Sequence, residues 1–254
     1  MPHASRRALR VWQRNRDVYL RLWRAELMPP FFESLVILLA MGVGLGAYVN
    51  LGGGGSYLQF IAPGLVASYA MFAAAFECTY GSYFRMETQR TFDAIIATPL
   101  SIEDVIAGEV LWGATRAAWS SIAVLAVISP FGLVESWWAV AVPLLAFGAG
   151  VLFSGIALVF TAFAPTLTSF NYFITMFLTP MFFFSDVFFP LEGLPAGLQA
   201  FGRLLPLTPF ARLTRALTEG RFSASHWADV AYIAVLAVVF FYAALILMRR
   251  RLIK

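Results

Sequence analysis

The chain has 254 residues, of which 60% are apolar, 16% aromatic and only 13% charged, and its mean hydropathy is +0.77. Soluble domains carry about 25% charged residues, so this sequence has too few to cover a water-facing surface; a secreted domain, a disordered chain and a free nucleic-acid binder are excluded. The formal charge of +4 is concentrated at the ends, with seven of the 18 basic residues in the first 24 positions and four in the last six, which is the charge pattern of a polytopic membrane protein with both termini in the cytoplasm.

Taken in chain order, residues 1–30 predict a cytoplasmic amphipathic interface helix, and 31–254 a membrane domain. Over Ser5–Leu27, Arg10, Arg14, Asp17, Arg21 and Arg24 recur at helical spacing as a polar stripe, with Leu9, Trp12, Tyr19, Leu22 and Trp23 roughly opposite. A basic amphipathic helix with tryptophans on its apolar side lies in the membrane plane. Pro29 and Pro30 are expected to end it, because proline removes a helix donor and clashes with the preceding turn. No apolar core precedes the first span, so no cleavable signal peptide is predicted.

Crossing the roughly 30 Å hydrocarbon core takes about 20 mostly apolar residues. Six segments qualify: Phe31–Val49, Phe60–Phe84, Glu109–Phe131, Trp138–Phe163, Ser169–Phe184 with some extension, and Trp227–Met248. The fold class is therefore an all-α integral membrane protein of six transmembrane helices. With both ends inside, 13 basic residues fall on the cytoplasmic side and four (Arg203, Arg212, Arg215, Arg221) in one long external loop. The reverse orientation contradicts the positive-inside rule.

Between spans one and two, Asn50–Gln59 with the run Gly52–Gly55 is an external turn. No nearby cation supports a phosphate cradle there. Residues 85–108 form the cytoplasmic connection between spans two and three. Phe92, Ile95 and Ile96 make one side of a short helix that Pro99 stops, and Ser101 with Asp104 has the spacing of a helix-opening capping box. Residues 190–225 are too apolar for a solvated loop and too broken by proline and glycine for a span. Short re-entrant helices at the outer interface fit that composition.

Ionisable groups inside spans are functional candidates, since even mild scales charge about 2.5–3.5 kcal/mol for one at a helix centre. Glu77 lies seven residues before the inner end of span two and Arg116 seven after the start of span three. At 1.5 Å per residue both sit about 10 Å below the cytoplasmic surface, which predicts an ion pair clamping the two spans at the root of the connection. Glu33, nearer the inner end of span one, can snorkel to water. Cys78, the single cysteine, is placed as a packing residue. The only lysine is Lys254, so no P-loop can be built from this chain.

The stretch Phe92-Asp93-Ala94-Ile95-Ile96-Ala97-Thr98-Pro99-Leu100, followed by Gly108-Glu109-Val110-Leu111-Trp112, closely resembles the permeases of type-2 ABC exporters, and within them the NodJ-like branch that exports nodulation factors. Phe60-Ile61-Ala62-Pro63-Gly64-Leu65, Phe170-Asn171-Tyr172-Phe173 and Val187-Phe188-Phe189-Pro190-Leu191 extend the likeness over nearly the whole chain. The resemblance implies six spans per protomer, a homodimer in the bacterial inner membrane, and two copies of a separate P-loop ATPase that binds ATP and magnesium. No cofactor is expected on this chain itself, and no nucleic-acid partner. It also implies that Glu87, Arg90, Phe92, Asp93, Ile95, Ile96, Pro99, Glu103 and Asp104 couple to that ATPase. The cargo would be an amphipathic lipo-oligosaccharide or glycolipid, alternatively a hydrophobic drug, with membrane lipids around it. Phe182, Phe183, Phe184, Phe188 and Phe189 are candidates for the cargo path, although aromatics also gather at any membrane interface. Asp186 stands where the family pattern implies a small residue, so it is the candidate for altered selectivity at the outer mouth.

Two other classes compete. A membrane lipid or sugar transferase needs an acid–base pair or a metal site, for which the chain offers His3 in the tail and His226 with Asp229 on one helix turn; two ligands make a poor metal site. An ion-coupled carrier usually shows an internal repeat, and none is visible.

Overall fold

A computed structural model describes residues 5–46, 48 and 56–253. The Gly52–Gly55 run and the end of the first predicted span at Val49 lie outside the described residues. No strand occurs among the described residues, and five helices are long and apolar enough to cross a membrane: Glu26–Gly44, Tyr57–Thr88, Ile102–Phe131, Trp137–Phe163 and His226–Leu252. The sixth apolar helix, Ser169–Phe184, is shorter. The protein is thus an all-α membrane protein, with five of the six expected segments at spanning length.

The first helix departs from expectation. α1 runs without a break from Ala8 to Ile37 and continues as a π-helix over Leu38–Leu45, carrying Pro29 and Pro30 inside it. Two prolines remove two adjacent backbone donors but leave φ compatible with a helix, and Glu26 is held by an ion pair to Arg116 just before them. The interface helix and the first span are therefore one element. Its buried face also differs from the predicted one: Ala8, Val11, Asn15 and Tyr19 face inward, whereas Leu9, Leu22 and Trp23 are exposed. Spacings of three, four and four place those four residues on one side of the helix.

α2 (Tyr57–Phe76) starts at Ser56, whose hydroxyl and Gln59 form a capping box. It extends through two π-helical turns, Glu77–Gly81 and Phe84–Thr88. α3 (Thr91–Ile96) is the short connecting helix, and α4 (Ile102–Ile128) opens on a second capping box between Ser101 and Asp104. α5 covers Val142–Phe163. α6 (Ser169–Phe173) and α7 (Thr179–Phe184) are joined by a π turn. Two short helices, α8 (Ala196–Leu204) and α9 (Leu207–Glu219), fill the segment before the last helix, α10 (His226–Leu252).

α4 is central and packs against α1, α2, α5 and α10. In lipid the hydrophobic effect does not drive helices together, so close approach depends on small residues. Gly108 of α4 is such a point: a Cβ there would lie 2.5 Å from the Val11 Cβ and 2.9 Å from the Ala8 carbonyl of α1. Gly150 plays the same part between α5 and α4, with Ala114 Cα 2.7 Å from where its Cβ would stand.

Candidate functional site

The end of the bundle where both terminal helices meet the α2–α4 connection holds a network of buried charge. Its centre is Glu109, a fully buried carboxylate on the second turn of α4. Arg85 donates to Glu109 Oε2 from Nη2 at 2.5 Å and from Nε at 3.1 Å. Ser82 donates to the same oxygen at 2.6 Å, and Asn15 of α1 donates to Oε1 at 2.9 Å. A buried carboxylate is tolerated only when paired and fully hydrogen-bonded, and three side chains from α1 and the continuation of α2 converge to satisfy this one.

Arg85 also pairs with Glu77 at 2.8 Å. Gly81 lies between the two on the same side of α2, and a Cβ there would come within 2.8 Å of Glu77 Oε1, so the absence of a side chain leaves room for the pair. Arg116 Nε lies 3.5 Å from Glu77 Oε2, while its Nη2 makes a closer pair with Glu26 of α1 at 2.6 Å. Arg116 also stacks over the Tyr19 ring, 4.6 Å from its centroid. The Glu77–Arg116 contact is therefore one link of a chain running Glu26, Arg116, Glu77, Arg85, Glu109 through α1, α2 and α4. Burial pushes the Tyr19 phenol up, with the Arg116 guanidinium pulling the other way. Burial likewise lowers the Arg14 guanidinium, against the opposing attraction of Glu109.

Charge patterning alone does not single out Arg85, Glu109, Asn15 or Glu26. Arg85 reads as one more positive-inside residue, and Glu109 as the polar start of a span. The spacing Glu77–Gly81–Arg85, which puts an acid, a gap and a base on one helix face, is a signal that could have found Arg85, but not its partners on the other helices.

The connecting segment is anchored to the same end from several directions. Arg251 of α10 donates to Glu87 at 2.9 Å and to the carbonyls of Ala164 (2.8 Å) and Thr161 at the end of α5. Arg249 pairs with Glu103 at 2.8 Å. The Asp104 carboxylate is buried and accepts from the backbone N–H of Ser5 at 2.6 Å, and Arg7 donates to the Pro99 carbonyl. Phe92 points into the core. Ile95 and Ile96 are half-buried, and Arg90 and Pro99 are exposed; the Asp93 side chain lies outside the description. Of the nine residues singled out for coupling, the side chains of Glu87, Phe92, Glu103 and Asp104 are thus engaged within this chain. Arg90 adopts a left-handed φ of 48°, at the bend that enters α3.

Beside the charge network a cavity of about 560 Å³ opens between α1, α2, α4 and α7. Its floor includes Glu26, Glu77 and Arg116, and its walls Phe72, Phe76, Trp119 and Phe182.

Of the aromatics near the end of α7, Phe188 is buried, Phe182 and Phe184 are half-buried, and Phe183 and Phe189 are exposed. Phe182 packs edge-to-face on Phe72 and Phe188, with centroids 5.3 and 4.7 Å away. Asp186 is turned inward, only 8% exposed, with φ of 61°. Its Oδ1 accepts from the Leu191 N–H at 3.2 Å, and its Oδ2 from Arg215 at 2.7 Å. At the far end of the chain, His226 Nδ1 is bonded to Ser223, and Asp229 pairs with Arg212 at 3.0 Å, so the two do not act together. No group of three or more metal-ligating side chains occurs among the described residues.

Residues 7–218 match the family described as ABC-2 type transporter. The chain is 34% identical over 256 aligned positions to Nodulation protein J of Rhizobium leguminosarum bv. trifolii, covering 100% of this chain and 97% of that protein. It is 34% identical to Nodulation protein J of Rhizobium meliloti (strain 1021), covering 95% and 92%. It is 30% identical to the inner membrane transport permease YadH of Escherichia coli (strain K12), covering 78% and 77%.

Proposed function

Because the chain belongs to the ABC-2 type transporter family, we propose that this multi-pass permease exports a lipo-oligosaccharide or related glycolipid across the inner membrane, as two copies driven by two copies of a separate P-loop ATPase. The observation that carries the cargo class is the end-to-end likeness to Nodulation protein J. Orientation follows from the basic residues at both ends, which put the termini and the connecting segment in the cytoplasm.

The ATPase docks on the exposed side of that segment, at Arg90, Ala94, Ala97, Thr98 and Pro99. The buried side, Phe92 with the capped start of α4, ties the docking helix to the charge network, so movement of the ATPase pair is delivered to α2 and α4 as a unit. Packed elements transmit displacement because interiors are close-packed and stiff.

Gentle extraction of the tagged chain from native membranes, followed by native mass spectrometry, tests this. Two copies of the chain with two of a P-loop ATPase and a retained glycolipid are expected. A lone chain or homodimer in several mild detergents would overturn the assembly, and a retained cargo without a glycan would overturn the cargo class.

A further inference from the structure

The cavity between α1, α2, α4 and α7 has in its wall a buried hydroxyl with no partner. Ser120 is 4% exposed and its hydroxyl has no hydrogen-bond partner among the described residues; Arg116 Nε is buried and makes no hydrogen bond, its ion-pair partner Glu77 Oε2 standing off at 3.5 Å. Both belong to residues that line the cavity. Serine in a helix commonly donates to the carbonyl four residues back, and Ser120 does not. A buried donor without an acceptor is destabilising, so the Ser120 hydroxyl, beside the loosely paired Arg116 Nε, points to an acceptor group that occupies the cavity.

The charges supply the second half of the argument. Arg14, Arg85 and Arg116 face Glu26, Glu77 and Glu109, three against three. Glu33, one helical turn beyond Pro29, lines the same cavity from an exposed position and has no ion-pair partner among the described residues. The remaining walls are aromatic and aliphatic, from Phe72, Phe76 and Trp119. The volume, about 560 Å³, is within the range of small-molecule sites.

We propose that this cavity binds an aminophospholipid. The phosphate accepts from Arg116 and Ser120, the primary ammonium donates to Glu33, and an acyl chain lies along Phe72, Phe76 and Trp119. An anionic phospholipid satisfies the donors but brings no cation to Glu33. A simple cationic amphiphile satisfies Glu33 but leaves the donors empty. Only a head group carrying both charges answers both observations. The assignment is independent of which cargo the protein exports.

The test is native mass spectrometry of the purified full chain in dodecyl maltoside, titrated with phosphatidylethanolamine, phosphatidylglycerol and diacylglycerol of identical acyl chains. Phosphatidylethanolamine should bind about tenfold more tightly than phosphatidylglycerol, the scale of one charge-assisted hydrogen bond, and diacylglycerol most weakly. Glu33→Gln should close the gap between the two phospholipids to within about twofold without changing the melting temperature. Ser120→Ala should weaken both phospholipids and leave their ratio unchanged. Equal binding of the two phospholipids to the wild-type chain, or a gap that survives Glu33→Gln, would overturn the proposal. Glycerophosphoethanolamine, which has the head group but no acyl chains, binding as tightly as the lipid would overturn the membrane source of the ligand.

Discussion

Arg215 and Asp186 stand 29 residues apart in the chain and close an ion pair of 2.7 Å between α9 and the turn after α7. Arg215 adds bonds to the carbonyls of Asp186 (2.9 Å) and Phe60 (3.2 Å), and its guanidinium lies 4.2 Å from the centroid of the Phe60 ring. One arginine thus pins the turn, the start of α2 and α9 together. An arginine counted from sequence as part of an external loop is only 15% exposed in its side chain, and an acid read as a selectivity residue has both oxygens engaged within the chain.

Asp186→Ala leaves that arginine facing carbonyls without its carboxylate. Removing one partner of a buried pair typically costs about 3–5 kcal/mol, so the variant should melt well below the wild-type protein in detergent. Asp186→Asn should lose less, because asparagine tolerates the left-handed φ and its oxygen can still accept from Leu191. If Asp186→Ala melts normally and only the transported cargo changes, the residue acts at the outer mouth instead.

Glu109 is the most enclosed charge in the network, and its replacement separates geometry from charge. Glu109→Gln preserves an acceptor for Ser82 or Asn15 but leaves Arg85 with Glu77 alone. Glu109→Ala removes every bond and should be the more destabilising, again by about 3–5 kcal/mol. Exchanging both residues, as Arg85→Met with Glu109→Met, should recover much of the loss, since well-packed apolar residues often replace a buried pair at little cost. Thermal unfolding of the wild type, Arg85→Met, Glu109→Met and the double variant in one detergent measures the coupling.

Composition made the helical membrane fold legible, and hydropathy located the apolar segments to within several residues. The start of α4 was readable because Ser101 and Asp104 carry their own capping chemistry. What could not be read were relationships between helices. Proline at positions 29 and 30 signals a stop locally, but the tertiary contacts of α1 along α4 carry the helix through. Arg85, Glu109 and Asn15 belong to three different elements, and no single-helix periodicity brings them together. Arg215 shows the same limit, since an isolated arginine in an apolar loop gives no sign of its partner.

The expected clamp between Glu77 and Arg116 has a consequence opposite to the simplest charge-swap reasoning. Each residue has a closer partner, Arg85 at 2.8 Å for Glu77 and Glu26 at 2.6 Å for Arg116. Glu77→Arg would set two arginines side by side, and Arg116→Glu would do the same to two glutamates. The double exchange should therefore fold no better than either single change. Glu26→Gln should weaken the network less than either charge reversal, because Glu26 is the most exposed member, 42% in its side chain. Recovery of stability in the double exchange would show that the 3.5 Å contact dominates.

Two substitutions, one on the six-residue helix α3 and one just after it, separate docking from folding. Ala97→Glu, just past the end of α3, changes an exposed position and should leave the stability within about 0.5 kcal/mol of the wild type, the usual range for surface changes. On the coupling reading it should remove the ATPase from pull-downs. Phe92→Asp instead buries a carboxylate where an almost fully buried phenyl ring stood, which is costly without a paired base. It should lower the yield of folded chain before any effect on the partner can be read. Retention of the ATPase by a stable Ala97→Glu protein would move the docking surface away from this helix, to Arg90 or the exposed first turn of α1.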